Sequence, residues 1–246
     1  MKKYGLIGYP LTHSFSEKFF ADKFSREKLS EVSYTNFPVS DISMLPSLIS
    51  DPELEGFNVT IPYKEKILPF LDGIDPVARE IGAVNTVRVT RDNKRPLLVG
   101  YNTDAIAFAI TLHAFLPVLP PSALVLGTGG ASKAVVYSLQ KSGIRVKLVS
   151  RTPEAGRYTY NDLNGEVMGE NLLIVNTTPL GTYPDTESRP PIPYHLLTER
   201  HCLYDLVYNP PETGFMLSGK EYGARTLNGY GMLVAQAEAA WKIWNT

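Results

Sequence analysis

The sequence predicts an α/β protein of two domains, and three observations carry that expectation. Apolar strand patterns alternate with helical ones, the alternation restarts after a proline-rich break at residues 117–121, and the second half opens on a glycine-rich turn between an apolar strand and a helix. With 246 residues, 43% of them hydrophobic, the chain can fill one large core or two smaller ones.

In the first half, residues 4–8 form a short apolar strand, 15–24 carry apolar residues at helical spacing, and 32–39 return to a strand pattern. Residues 56–60 read as the next strand. Pro62 suits the first turn of a helix, which predicts a short helix over 63–71, followed by strands at 83–89 and 97–100. Helices between strands predict a mostly parallel sheet. From residue 103 the pattern begins again with a helix to 116. After the break come strand 123–126, turn 127–130, helix 131–141 and strand 146–149, which together make a βαβ unit. Strand 172–176 follows; the glycines and asparagines of 152–170 leave a crossover helix that is shortened or absent. Residues 232–244 predict an alanine-rich terminal helix that packs on the first domain.

Charge and composition narrow the function. The 24 basic and 25 acidic residues are mixed, giving a net charge of -1 with no basic stripe for nucleic acid. No apolar run reaches membrane-spanning length, and the opening residues read as a strand rather than a leader, so a cytoplasmic protein with no membrane partner is expected. The single cysteine, Cys202, can form neither an intrachain disulfide nor a cysteine-only cluster, and four scattered histidines suggest no metal site. A small-molecule ligand is the expected partner.

The turn Gly127-Thr128-Gly129-Gly130-Ala131-Ser132 lies where a dinucleotide fingerprint requires it, after a strand and opening a helix. Its first glycine permits the tight turn, its second lets the backbone approach a pyrophosphate, and the helix N-terminus offers N–H groups to the phosphates. This predicts a Rossmann-like domain. About twenty residues on, an acidic residue would mark NAD; here the chain reads Ser150-Arg151-Thr152, a guanidinium and two hydroxyls suited to the 2′-phosphate of NADP. Arg157 is a candidate second charge. Arg151 can also be read as an ordinary solvated strand-end arginine.

A second group of polar residues lies in the first half. Asn58 and Thr60 sit two apart on an expected strand and would face one side, and Lys64 follows just past Pro62. Read singly, the pair can simply end a strand, and Lys64 is first a solvated helix lysine beside Glu65 and Lys66. Ser14 and Ser16 precede a helix, where Ser14 with Glu17 fits a capping box but could equally seat a carboxylate. Asp104 can be a helix N-cap or a functional carboxylate. Gln236 lies within an otherwise apolar helix, where a buried amide would need partners. Such groups suit a polyhydroxylated acid with a carbonyl.

At this point the chain resembles the shikimate dehydrogenase family through nearly its whole length. The matching segments are His13-Ser14-Phe15-Ser16, Asn58-Val59-Thr60-Ile61-Pro62-Tyr63-Lys64, Gly82-Ala83-Val84-Asn85-Thr86 and Gly100-Tyr101-Asn102-Thr103-Asp104. They continue with the glycine turn, Ser150-Arg151-Thr152, Asn176-Thr177-Thr178-Pro179, Asp205-Leu206-Val207-Tyr208-Asn209-Pro210, and Gly229-Tyr230-Gly231-Met232-Leu233 leading to Gln236. The resemblance implies NADP-dependent reduction of 3-dehydroshikimate to shikimate, a step of chorismate and aromatic amino acid biosynthesis.

It also implies an N-terminal α/β substrate domain over 1–102, with helix 232–246 packing back on it, and a Rossmann-like NADP-binding domain over 103–231, with the cleft between them. Lys64 and Asp104 would be the catalytic pair. Ser14, Ser16 and Tyr208 would hold the substrate carboxylate; Asn58, Thr60, Asn85 and Gln236 would complete the substrate site. Gly127, Gly129, Gly130, Ala131, Ser150, Arg151 and Thr152 would bind NADPH, with Leu206 and Gly229 at its nicotinamide end. Glu17, Ala105, Ala107 and Thr182 depart from the residues usual at their positions, and none of these removes a catalytic group. Two rival readings are a quinate/shikimate dehydrogenase of relaxed specificity and a non-catalytic metabolite sensor. A monomer or homodimer is expected.

Overall fold

The structure is a computed structural model that describes residues 1–11, 14–93 and 95–246. The chain forms two compact units, Met1–Thr103 with Gln236–Thr246, and Asp104–Ala235. Among the described residues no helix is long and apolar enough to cross a membrane.

The first unit contains β1 (Lys2–Gly8), α1 (Phe15–Arg26), β2 (Val32–Pro38), α2 (Leu45–Ile49), β3 (Leu54–Val59), β4 (Gly73–Ile74), α3 (Pro76–Ile81), β5 (Thr86–Asp92) and β6 (Arg95–Tyr101). Its sheet order is β2-β1-β3-β5-β6-β4. The sheet is mixed rather than mostly parallel: β1 runs parallel to β2 and β3, whereas β5 is antiparallel to both β3 and β6. β5 and β6 pair antiparallel with Asp92 opposite Arg95, too near in sequence for a crossover helix, and Asn93 adopts a left-handed conformation at φ 48.

The helix expected over 63–71 does not form; only residues 68–70 make a single 3₁₀ turn. Two features stop it. The Lys64 carbonyl accepts from Val84 N–H instead of from its own segment, and Pro69 has no N–H to give. Thr60 falls one residue beyond the end of β3, so it is not a strand partner of Asn58.

Two cores cover the two faces of this sheet. Ile7, Phe57, Ile67, Val84, Val87 and Leu98 pack on one side. On the other, α1 and the end of the terminal helix bring Phe20, Phe24, Tyr34, Tyr4, Ala240 and Trp244 together. Tyr4 stacks on Trp244 at 4.9 Å and Phe20 on Tyr34 at 4.3 Å. Gly56 makes room for the indole: a Cβ there would lie 2.3 Å from Trp244 Cδ1.

The second unit follows with α4 (Thr103–Phe115), β7 (Ser122–Leu126), α5 (Gly130–Lys141), β8 (Arg145–Ser150), β9 (Tyr158–Thr159) and α6 (Gly165–Glu170). It continues with β10 (Leu173–Asn176), β11 (Cys202–Asp205), α7 (Gly214–Glu221), β12 (Arg225–Leu227) and α8 (Tyr230–Trp244), whose last turns belong to the first unit. All five pairings in the order β12-β11-β10-β7-β8-β9 are parallel, a doubly wound Rossmann-like sheet. Helices α4 and α5 pack on one face through Phe108, Leu112, Val135 and Leu139; α6 and α7 cover the other through Met168, Phe215 and Met216. The crossover helix in 152–170 is present but only six residues long.

Candidate active site

In the first unit the polar residues of interest gather where β1 and β3 end and β5 begins. Thr60 N–H donates to the Ile7 carbonyl and Val59 N–H to the Asn85 carbonyl, which ties three segments together. Asn85 is 2% exposed; its Nδ2 donates to Thr103 Oγ1 at 2.9 Å, and its Oδ1 accepts from Thr103 N–H at 2.7 Å. Asn102 fixes the same corner by donating to the Ala83 carbonyl. Lys64 is half-buried, its backbone held by Val84, the residue before Asn85.

Asn58 is equally well held. Its Oδ1 accepts from Tyr34 Oη at 2.8 Å, while its Nδ2 donates to Thr86 Oγ1 at 3.1 Å and reaches the Asn85 carbonyl at 3.3 Å. Burial pushes the Tyr34 phenol well above its ordinary pKa, opposed by hydrogen bonding with Ser16. A buried chain of polar contacts therefore runs from Ser16 through Tyr34 and Asn58 to Thr86, Asn85 and Thr103. Both ends of the Asn58 amide are occupied by protein groups.

Ser14 stands at the N-cap position of α1, yet its side chain makes no capping bond, so the expected capping box is absent. Its Oγ is shielded and has no partner among the described residues. Glu17, the other half of that box, instead accepts from Asn36 Nδ2 at 2.6 Å. The hydroxyl is thus neither a cap nor bonded to a described residue, and its motif neighbour His13 lies outside the described residues. Gln236 is half-buried on α8 rather than enclosed.

The second unit carries the rest. Asp104 is 5% exposed and sits within the first turn of α4, because the helix starts at Thr103; it is not the N-cap. Gly127 adopts φ 106, and a Cβ there would lie 2.8 Å from Thr177 Oγ1, so both backbone and space require glycine. Gly129 is the N-cap of α5 with no side chain on its N–H groups; Gly130 and Ala131 begin the helix. Ser132 turns inward to the Gly127 carbonyl at 2.8 Å, bracing the turn. The open face of this turn is backbone N–H and glycine, which fits a pyrophosphate.

At the end of β8, Arg151 and Thr152 are exposed, and the Ser150 hydroxyl donates to the Thr152 carbonyl. Arg157, the candidate second charge, is taken up by an ion pair with Glu154. After β11, Leu206 and Tyr208 are half-buried, and Gly229 donates to the Val207 carbonyl. A Cβ on Gly229 would lie 2.1 Å from the Leu206 carbonyl oxygen, so this close approach also requires glycine.

Sequence reasoning assigned no role to Tyr34, Thr86 or Thr103, nor to the buried Asn176–Asp205 pair. Thr86 and Thr103 each flank a matched asparagine; Tyr34 lies outside every matched segment, and no local signal marks it.

The family model for the shikimate dehydrogenase substrate binding domain matches residues 6–87. The NADP(+) shikimate dehydrogenase of Desulforamulus reducens is 36% identical, over 98% of this chain and 88% of its own length. Among solved structures, a Thermus thermophilus shikimate 5-dehydrogenase in complex with NADP(H) and shikimate has a TM-score of 0.84 at 33% identity, covering 99% of this chain and 93% of that one. A quinate dehydrogenase from Corynebacterium glutamicum in complex with NAD gives 0.86 at 25% identity, covering 99% and 93%. On these similarities, which run through both units, the chain belongs to the shikimate dehydrogenase family.

Proposed function

We propose that this chain is an NADP-dependent oxidoreductase that reversibly reduces 3-dehydroshikimate to shikimate, a step of chorismate and aromatic amino acid biosynthesis. The observation that carries the reading is the held Lys64–Asn85–Thr103 corner, with Asp104 next in the chain, in a protein that also bears the Gly127–Ala131 turn. NADPH supplies the hydride that reduces the C3 carbonyl of the substrate.

The residues of this chain do the rest. The Lys64 ammonium stabilises the negative charge that develops on the carbonyl oxygen and then gives it a proton, becoming a neutral amine. Asp104 is its acidic partner and accepts from a ring hydroxyl. Ser14 and Ser16, with Tyr208, take the carboxylate, an assignment supported by the unpartnered Ser14 Oγ. Thr60, Asn85 and Gln236 contact the ring. Asn58 has a supporting role instead of the contact expected from the sequence, because its amide is already satisfied by Tyr34, Thr86 and Asn85.

For the cofactor, Gly127, Gly129, Gly130 and Ala131 receive the pyrophosphate, and Ser150, Arg151 and Thr152 receive the 2′-phosphate. Leu206 and Gly229 flank the nicotinamide. The reading also takes the protein to be cytosolic and to act as a monomer or homodimer, which sedimentation of the purified protein tests.

The deciding experiment is oxidation of NADPH by the purified protein with 3-dehydroshikimate. Turnover that yields shikimate is expected; NADPH binding without turnover would instead make the chain a metabolite sensor. Quinate and NAD in the reverse direction test the relaxed-specificity reading, to which the quinate dehydrogenase likeness gives a basis. The absence of an acidic residue in Ser150-Arg151-Thr152 disfavours NAD.

A further inference from the structure

The second unit contains a buried carboxylate that the proposed chemistry does not use. Asn176 and Asp205 are register partners at the ends of the adjacent parallel strands β10 and β11, and both are fully buried. In an open parallel sheet this end of the strands is where ligands bind. Asp205 Oδ1 accepts from Asn176 Nδ2 at 2.9 Å and from Val207 N–H at 3.0 Å, while Oδ2 accepts from Thr213 Oγ1 at 2.6 Å. Asn176 passes the connection on, since its Oδ1 accepts from both the N–H and the hydroxyl of Thr178.

One carboxylate thus joins three loops: the one after β10, the one carrying Leu206–Tyr208, and the N-cap of α7. Leu206 and Val207 are clamped from the other side by Gly229, which donates to the Val207 carbonyl and leaves no space for a side chain against Leu206. All three groups bonded to the carboxylate are neutral donors. A buried carboxylate with no cation on it among the described residues is a costly way to brace a loop, which argues that the placement of that loop matters.

We propose that Asp205 is a positioning residue for the hydride-transfer step: its carboxylate fixes the Leu206–Tyr208 segment that faces the nicotinamide and the substrate. The inference rests on the functional reading above. The residue acts only through the loop and touches neither ligand. Protonation at Oδ2 reverses the bond to Thr213, whose hydroxyl becomes the acceptor, while Oδ1 still accepts from Val207 N–H and Asn176 Nδ2. The loop is then held by neutral bonds in place of the stronger charge-assisted ones. Burial raises the Asp205 pKa to about 6, against the opposing pull of Thr213, Val207 N–H and Asn176. The Tyr194 phenol also senses its charge.

The test compares D205N, T213V and T213S with the parent protein, all carrying an intact glycine turn and Arg151. In D205N the amide oxygen can still accept from Val207 N–H and Asn176 and its –NH₂ can donate to the Thr213 hydroxyl, but the charge-assisted bonds are lost. The loop is held less firmly, so kcat should fall on the order of tenfold. The isotope effect with deuterated NADPH should rise, and NADPH affinity measured by fluorescence should change by less than the rate does. The parent's kcat should fall on the acid side with an apparent pKa near 6, a limb that D205N lacks. T213V should lose part of the rate and T213S should recover most of that loss, which gives the answer if D205N does not fold. A folded D205N with parental rate and acid limb overturns the proposal. So does a T213V that loses thermal stability while keeping its rate and isotope effect, the mark of a purely structural bond. A parent inactive with NADPH and 3-dehydroshikimate sinks the functional reading and this inference with it, whereas an active parent with unaffected variants sinks only the inference.

Discussion

The backbone N–H of Val84 donates to the carbonyl of Lys64 at 2.8 Å. This bond locks a segment that would otherwise tend towards helix, and it sets Lys64 beside the corner that Asn85 builds with Thr103. If Lys64 is the proton donor, Lys64→Ala should lower kcat on the order of a hundredfold or more, since general acid catalysis normally contributes that much. The KM for 3-dehydroshikimate should move only modestly, because the interaction is made mainly in the transition state. Steady-state kinetics on protein with parental circular dichroism decides it; a kcat within about twofold of the parent would contradict that role.

Ser14→Ala should show the opposite pattern. Its shielded Oγ has no partner among the described residues and makes no helix cap, so removing it should cost the fold little. A hydrogen bond to a charged carboxylate contributes about 1.5–3 kcal/mol, which corresponds to a KM raised roughly tenfold or more with kcat less affected. If KM stays at the parental value, the serine does not hold the carboxylate.

Arg151 is exposed at the end of β8, with no carboxylate in the segment 150–152. Arg151→Ala should weaken NADPH binding by roughly tenfold or more, the scale of a charge-assisted contact, while leaving NADH binding nearly unchanged. Equal losses for the two cofactors, read by fluorescence titration, would remove the arginine from the 2′-phosphate.

Much of the second unit was legible because βαβ structure writes itself locally: an apolar strand, a glycine turn and an amphipathic helix occur in order at 122–150. What followed β10 was not. β12 is three residues long, too short for a period to emerge, and β11, though as long as β10, is followed by residues 206–213 rather than by a glycine turn, with α7 starting at a Thr213 cap outside any apolar repeat. In the first unit the expected helix over 63–71 failed because a hydrogen bond from Val84, distant in sequence, outcompeted local preference. The candidate residues Lys64, Asn85 and Ser14 were visible as motifs. The Tyr34–Asn58 and Asp205–Asn176 contacts were not, since those partners are brought together across the sheets rather than by spacing along the chain.

Packing offers an independent check on the first unit. Trp244 is stacked on Tyr4 and close to Phe20, and its Nε1 donates to the Val87 carbonyl at 2.9 Å, so the indole cannot swing away. Gly56→Ala would put a methyl group 2.3 Å from Trp244 Cδ1. Overpacking of this kind costs about 1–3 kcal/mol, which should lower the midpoint of chemical denaturation measurably. An unchanged or higher midpoint would show that the cluster can yield.

Asp205 gives stability a pH dependence whose sign is opposite to that of an ordinary ion-paired carboxylate. Its carboxyl titrates at about 6 in the folded protein against 3.8 for the free group, because burial outweighs its three hydrogen bonds. Between those values the folded state binds the proton more tightly than the unfolded state, so protonation favours folding. The contribution is therefore fully present below about 4 and lost as pH rises through about 6. Two pKa units correspond to about 3 kcal/mol at most. Other carboxylates pull the opposite way: Asp51, Glu53 and Asp162 all have lowered pKa values, from hydrogen bonds at each and from Lys3 at the first two. The prediction accordingly concerns the difference between Asp205→Asn and the parent rather than either curve alone. Measured by urea denaturation across pH 4–7, the parent should gain on the variant as pH falls through about 6. A difference that stays flat over that range would mean that Asp205 titrates near its ordinary value and that burial does not govern its charge.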